Sequence, residues 1–563
     1  MKTDTLPRWR FAMFFVPLAF YTLTAARVPG WLDATLITSI VGQLNLSSWV
    51  NNHNLFTVIG HLVVAIAGRN NPHYALVLLC SFFGALTVYL IFLAGLEIAR
   101  PVSAVLGALA LMVSHSLWWH STMVEVYTLN SAIIASVVLS LLRYRRTSAA
   151  RYLYAAFFLW GLGCSNHVLM GLFLPAFIVL LVMLRIRGRT ESWRTDVLAA
   201  ASFLVGISLF LGLFVRDVAA AFRPVSGLTD TARALFEAFG SILDRATGGH
   251  FKGHMFTSNM TPAQTRFWRL NYLFLLFANF PSIALPLGFA GAWAGWKRDT
   301  QKWIFVFVAL ALAAQIIWSA NYFIWDMYAF ALPVYVLFAV PVIVGIDWAI
   351  GRSRLTRIAV ICLAPTLLLP LVLYPSAERW YENDGFITRY FNNYEKLRWT
   401  EPTWHAAGYI ANPNKRNYTM TKQVAEKLFE VLPPESAVLT SESRLDYPMR
   451  LYYQRTLGIR PDIRYIPFFG MGLTEATIAT TAARLSRAIE GTAPTYVSSL
   501  GPPDRLILNE LWLRYDPEAD PDYVAGLSEE EFVALFPRIT FERVDLLPEE
   551  EVWIYRVGRR PEV

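Results

Sequence analysis

The chain of 563 residues has three cysteines, Cys80, Cys164 and Cys362, and all three lie inside apolar runs. No disulfide framework or thiolate metal site is available from them. They are expected to be buried packing residues, as free cysteines commonly are. Charge is scarce too: Asp, Glu, Lys and Arg make up 16% of the chain, against about 25% in soluble domains. With 55% hydrophobic and 15% aromatic residues and a mean hydropathy of +0.41, a soluble globule is excluded and the chain reads as a membrane protein. No Gly-rich phosphate loop follows a strand, so no nucleotide site is assigned. No long internal repeat or low-complexity tract stands out. The net charge of +8 requires no nucleic acid, because loop arginines facing anionic lipid account for it.

What the chain does have is about eleven apolar segments within residues 10 to 375, several near the ~20 residues that a helix needs to cross a bilayer. Basic residues recur in alternate loops: Arg8 and Arg10; Arg100; Arg143, Arg145, Arg146 and Arg151; Arg185, Arg187, Arg189 and Arg194; Lys297, Arg298 and Lys302; Arg352, Arg354 and Arg357. Short loops rich in Lys and Arg stay cytoplasmic, so the N-terminus is expected inside and the C-terminus outside. The expected location is a cytoplasmic (inner) membrane crossed many times. Phe11–Val28 is read as a retained first helix because no convincing cleavage site follows it.

The composition changes sharply near Pro375. Residues 1–375 form the expected multi-spanning domain, and residues 376–563 the expected extracytoplasmic soluble α/β domain. In the latter, a helix near Thr421–Leu432, a strand Ala437–Thr440, a helix near Tyr447–Thr456, a strand Ile463–Pro467, a helix Thr474–Ile489 and a strand Thr495–Ser499 alternate. Ile539–Val544 and Val552–Val557 complete the pattern as an antiparallel pair, and Glu378–Lys415 reads as an irregular connector. In the long loop from Arg216 to Arg269, Leu235, Phe236, Phe239, Ile242 and Leu243 recur at helical spacing, as in a helix lying at the membrane interface.

Carboxylates, imidazoles and amides collect in the loops assigned to the outer side. Asp33 follows the first helix, His53 precedes and His61 lies within the short apolar stretch Asn54–Gly68, and Glu125 sits in a turn. Asn166 with His167, and Asn321 with Asp326, occupy two further outer turns. An acid at the membrane boundary costs free energy unless solvated or paired, which makes such residues functional candidates. The plain alternatives are a helix cap for Asp33, an arginine partner for Glu125 and a carbonyl hydrogen bond for His167. His53, His61, His250 and His254 lack the paired spacing of a zinc site.

Tyr21-Thr22-Leu23, Asp33, Leu55-Phe56-Thr57-Val58-Ile59-Gly60 and above all Glu125-Val126-Tyr127-Thr128-Leu129-Asn130 resemble the protein O-mannosyltransferase-like family of bacterial membrane proteins, long catalogued as a domain of unknown function. Gly161-Leu162-Gly163, Asn166-His167, Leu174-Pro175, Asn321-Tyr322, Asp326 and Leu332-Pro333 match as well. The likeness extends into Leu432-Pro433-Pro434 and Gly458-Ile459-Arg460-Pro461-Asp462. The family is similar to the GT-C glycosyltransferases, which take sugar from a polyprenyl-phosphate carrier at the outer face. The resemblance implies a mainly α, GT-C-like fold and a catalytic carboxylate at Asp33. Where the family often has a further acid after that position and a His-Pro-Pro-Gly turn, this chain has Ala34-Thr35-Leu36 and Asn51-Asn52-His53-Asn54.

A hydroxyl acceptor needs a positioned carboxylate to take its proton, so Asp33 is the expected base and Glu125 the second catalytic candidate. The leaving lipid phosphate needs cations or hydrogen-bond donors, for which Arg223, Arg245, His250 and Lys252 in the long loop are candidates. Headgroup attraction is the plain alternative for each. His53, Asn166, His167, Asn321 and Asp326 complete the expected substrate-binding set. Expected partners are membrane lipids, a polyprenyl-phosphate-linked sugar donor, with mannose a candidate sugar, and a protein or glycan/lipid acceptor. No cofactor is required, and a divalent metal ion is left open. A transporter or flippase of lipid-linked saccharides, or an inactive membrane scaffold, are the alternative readings, although transporters commonly show related halves that are not evident here.

Overall fold

The structure, a computed structural model, describes residues 8–31, 33–68, 70–186, 193–223, 228–249, 255, 261–298, 302–323, 327–383, 406–468, 475–500, 505, 507–508, 510–511, 528–536, 539–550 and 552–559. Its contacts separate two compact units: residues 1–25, 43–377 and 411–416, and residues 26–42, 378–410 and 417–563. Two short segments thus pack with the unit to which their flanking sequence does not belong.

In the first unit, seven helices among the described residues are long and apolar enough to cross a membrane, or up to nine if each of two bent pairs is one span. The sequence count is higher because apolar segments also form shorter helices, such as Ala12–Thr24 and Asn54–Ala67. The latter has 14 residues, about 21 Å at the usual rise per residue and short of a ~30 Å hydrocarbon core. The apolar stretches of Tyr127–Thr147 and Leu332–Arg352 are each 89% buried, whereas that of Trp193–Ala221 is 17% buried. The first two therefore form the centre of the bundle and the third its periphery.

Helices pack closely where glycines face backbone. A Cβ on Gly345 would stand 1.7 Å from the Leu287 carbonyl oxygen, and one on Gly291 would stand 1.9 Å from that of Pro341. Small residues at this crossing let Ala284–Lys297 and Leu332–Arg352 approach backbone to backbone. Loop arginines converge at one end of the bundle. Arg100 and Arg298 hold Asp347 at 3.1 and 3.5 Å, and Arg143 and Arg146 hold Glu97 at 3.7 and 3.0 Å. Helix Tyr127–Thr147 has 21 residues, so its other end, beside Glu125, lies about 30 Å from these arginines.

Helix Leu228–Ala246 is amphipathic, with Phe236 77% exposed on its apolar face. It packs beside Trp193–Ala221, where the Phe239 and Phe214 rings meet at 5.4 Å. The expectation that all three cysteines are buried is corrected. Cys80 is buried, but Cys164 is half-buried and Cys362 is exposed. Cys362 sits on the peripheral span Arg354–Ala377, whose apolar window is 22% buried, so its apolar sequence context reflects a surface fit for lipid.

The second unit contains a five-stranded sheet formed by β1 (Ala437–Ser441), β2 (Arg464–Phe468), β3 (Thr495–Val497), β4 (Ile539–Leu547) and β5 (Val552–Arg559), in the order β2-β1-β3-β5-β4. β1 pairs in parallel with β2 and β3, and β5 runs antiparallel to β3 and β4. Parallel neighbours need crossovers, which helices Glu442–Thr456 and Glu475–Glu490 supply. Leu439, Ile466 and Val497 from the sheet meet Ala482 and Leu485 from the second of these helices in one apolar core. The first is a π-helix that begins at Glu442, ahead of the Tyr447 start read from the sequence. Pro448 lies inside it; lacking an N–H, proline reads in a sequence as a helix start.

Candidate functional site

Asp33 opens helix Asp33–Gly42 in the second unit. Ala34, Thr35, Ile37, Thr38, Ser39 and Val41 of this helix are buried, and the helix packs against π-helix Glu442–Thr456. The chain ahead of Asp33 is fastened twice. The Thr421 hydroxyl donates to the Pro29 carbonyl, and the Trp31 indole N–H donates to the Tyr418 hydroxyl. Asp33 itself is exposed, and its carboxylate makes no hydrogen bond among the described residues. Although its surface is open, desolvation by the surrounding protein pushes its pKa up to about 6. A carboxylate with open lone pairs and a pKa near neutrality suits a general base.

In the first unit, Asn166 organises the end of the bundle opposite the arginines. Its side-chain oxygen accepts from the Phe56 N–H at 3.2 Å, and its amide nitrogen donates to the Val126 carbonyl at 3.3 Å and to Asn130 Oδ1 at 3.4 Å. Its backbone carbonyl lies 3.0 Å from His53 Nδ1. The rings of His53 and His167 stack with centroids 5.0 Å apart, and the Tyr127 ring lies 5.1 Å from that of His167. Desolvation pushes His53 down to about 4 despite its bond to the Asn166 carbonyl. Burial, together with the neighbouring His53, holds His167 well below the ordinary imidazole value. Both rings are therefore neutral near pH 7. Glu125 adjoins this cluster as the residue before Val126, whose carbonyl Asn166 binds; the Cys80 thiol donates to the Glu125 carbonyl at 3.1 Å, and the Glu125 N–H donates to the Cys80 sulfur at 3.4 Å.

A third polar locus lies on helix Pro262–Asn279. Arg269 donates to Asn321 Oδ1 at 3.0 Å, and Asn321 Nδ2 donates to the Ile317 carbonyl at 2.7 Å. Pro262, Thr265, Arg266, Arg269 and Leu270 line an open groove of about 380 Å³. The sequence reading missed this arginine pair because it took Arg269 only as the end of the long loop. Its signal was the i,i+3 spacing, which puts both side chains on one helix face. Arg223 and Arg245 are exposed, and His250, Lys252 and Asp326 lie outside the described residues. The structure thus brings together His53, Asn166 and His167 beside the Glu125 turn, pairs Asn321 with Arg269, and carries Asp33 on the other unit. Among the described residues, no three His, Cys, Asp or Glu side chains gather so that they could hold a metal ion.

Seven or more spans joined to a small α/β unit make this chain a membrane protein with a GT-C-like fold. The crystal structure of ArnT from Cupriavidus metallidurans in the apo state matches it with a TM-score of 0.56 at 11% identity, over 98% of this chain and 97% of that one. The same protein bound to undecaprenyl phosphate gives 0.54 at 11% identity, over 98% of each chain. At such identity the likeness is one of fold. Residues 53–191 match the family described as protein O-mannosyl-transferase TMEM260 N-terminal domain, a stretch that contains His53, Glu125, Asn166 and His167. No curated protein matches the chain. Both likenesses read from the sequence, to O-mannosyltransferases and to GT-C glycosyltransferases, are therefore found: the first over residues 53–191 as a family match, the second as a GT-C-like fold.

Proposed function

We propose that this protein transfers a sugar, mannose on the family likeness, from a polyprenyl-phosphate carrier to a hydroxyl of a protein, glycan or lipid acceptor at the extracytoplasmic face. The observation that carries the reading is the Asp33 carboxylate, exposed, without a hydrogen-bond partner among the described residues, and raised to about 6 in a GT-C-like chain. As the acceptor oxygen bonds to the anomeric carbon, its proton passes to Asp33. The bond from that carbon to the phosphate oxygen breaks, and its electron pair leaves with the lipid phosphate. The lipid class is supported by the undecaprenyl phosphate bound to ArnT. Residues 376–563 are assigned to acceptor recognition. The N-terminus and the arginine-rich end of the bundle are assigned to the cytoplasm of a cell with an inner membrane.

The test is transfer by the purified protein in lipid, with labelled polyprenyl-phosphate sugars as donors. Asp33→Asn keeps the size of the side chain and removes its basicity. Turnover should fall by about 10²–10⁴-fold while donor binding stays near that of the native protein. Native turnover in Asp33→Asn would overturn the assignment and move it to Glu125.

A further inference from the structure

The imidazoles at the end of Tyr127–Thr147 are committed at one nitrogen each. His53 Nδ1 lies 3.0 Å from the Asn166 carbonyl, which can only accept, so Nδ1 carries the proton and Nε2 is a bare acceptor. His167 is the reverse: its Nδ1 accepts from the Leu169 N–H at 3.1 Å, so the neutral ring carries its proton on Nε2 and is a donor there. Neither Nε2 has a hydrogen-bond partner among the described residues. His167 is only 6% exposed, so its Nε2 donor has little room for water and gains from a ligand acceptor at that edge. Behind Tyr127, His120 repeats the arrangement. Its Nδ1 lies 2.6 Å from the Ser116 carbonyl and its Nε2 is buried without a partner, while its ring is 5.3 Å from that of Tyr127. Phe330 closes the other side, 5.8 Å from Tyr127 and 6.2 Å from His167.

We propose that the Nε2 edges of His53 and His167, walled by Tyr127 and Phe330, bind hydroxyl groups of the transferred sugar, a neutral polyol. The pair offers one acceptor and one donor side by side, and a sugar hydroxyl is both at once. The aromatic walls suit the apolar C–H faces of a pyranose. A phosphate, which only accepts, finds one donor in this pair of neutral rings. A metal ion would need an outward lone pair, and on His167 that lone pair is spent on Leu169. This deepens the proposed function and relies on it only for the lipid to which the sugar is attached.

The test uses the full-length protein in lipid nanodiscs and three probes: polyprenyl phosphate, the same lipid carrying a hexose, and a soluble methyl hexoside. His167→Phe keeps an aromatic ring and removes the donor, and His53→Phe removes the acceptor at a half-buried position where folding is less at stake. Each variant should lower the preference for the hexose-bearing lipid over the bare one about tenfold, the worth of one hydrogen bond to a buried group. Affinity for bare polyprenyl phosphate should stay within about twofold. An unchanged preference in both folded variants overturns the sugar site, as does an equal loss for both lipids. If the native protein binds neither lipid, the lipid-donor reading fails, and the methyl hexoside decides the sugar site by whether its binding falls in the variants. Activity retained by Asp33→Asn would refute the base while leaving this preference unaffected.

Discussion

If Asp33 is the base, turnover must titrate with it, and the direction is fixed by its environment. An ordinary aspartate has a pKa of about 3.9, whereas desolvation raises Asp33 to about 6. Only the ionised carboxylate accepts a proton, so kcat/KM should be level above pH 7 and fall tenfold per unit below pH 6. Ionisation would drop from about nine-tenths at pH 7 to about one-tenth at pH 5, a loss of roughly tenfold. An unshifted aspartate would remain more than about 90% ionised at pH 5 and give a flat profile there. His53, lowered to about 4, and His167, held well below the ordinary imidazole value, stay neutral across this window, and the phosphodiester of a lipid-linked sugar does not titrate in it. The stability of the fold should change in the opposite direction. A carboxyl whose folded pKa exceeds its unfolded value contributes stability that is complete below the unfolded pKa and is lost as pH rises through the folded one. The assay is initial-rate transfer between pH 4.5 and 8 at fixed ionic strength, with melting curves alongside. A rate independent of pH between 5 and 7 would refute Asp33 as a base with this environment.

Gly345→Ala places a methyl 1.7 Å from the Leu287 carbonyl oxygen; overpacking of this kind costs about 1–3 kcal/mol. A lowered melting temperature is expected, whereas Gly212→Ala, which meets nothing within 4 Å, should be neutral or mildly stabilising; equal melting of the two would contradict the backbone contact. Tyr418→Phe combined with Thr421→Val removes both polar fastenings ahead of Asp33. A displacement on the order of 1 Å at a reacting group can cost up to about 10²-fold, so kcat should fall markedly with donor affinity retained. Unchanged kcat in the folded double variant would show that the segment needs neither bond.

Hydropathy carries the bundle because lipid imposes one rule on every span, and the elements of the second unit were readable for a similar reason. β1, β2 and helix Glu475–Glu490 follow local patterns of period 2 and 3.6, so their positions agree with the sequence reading to within a residue or two. What local pattern cannot register is partnership. Trp31 and Tyr418 are 387 residues apart, and His53 and Asn166 are 113 apart. Neither pairing leaves a periodic trace, so the membership of residues 26–42 in the second unit emerges only on folding. Exposure to lipid is hidden for the same reason. Cys362 and Cys80 sit in equally apolar sequence, yet one faces outward and the other is buried.

The choice between carboxylates was likewise beyond the sequence, which ranks an acid by place and not by commitment. A general base needs lone pairs open to its substrate. Glu97 is held by Arg143 and Arg146, and Asp347 by Arg100, Arg298 and the hydroxyl of Ser103 at 3.4 Å. Each is a structural counter-ion whose oxygens are already engaged by neighbours. Glu125 carries interactions of its own in a turn that Cys80 fastens by the backbone. Asp33 differs in kind: its helix is buried along one face and the preceding chain is tied down, while its carboxylate has no hydrogen-bond partner among the described residues. Fixing the backbone and leaving the acid open is how a fold holds a reacting group in place without consuming it. The same logic separates the imidazoles from ordinary helix-end histidines, since the backbone takes one nitrogen of His53 and the opposite nitrogen of His167. The complementary donor and acceptor that remain are a property of the folded chain alone.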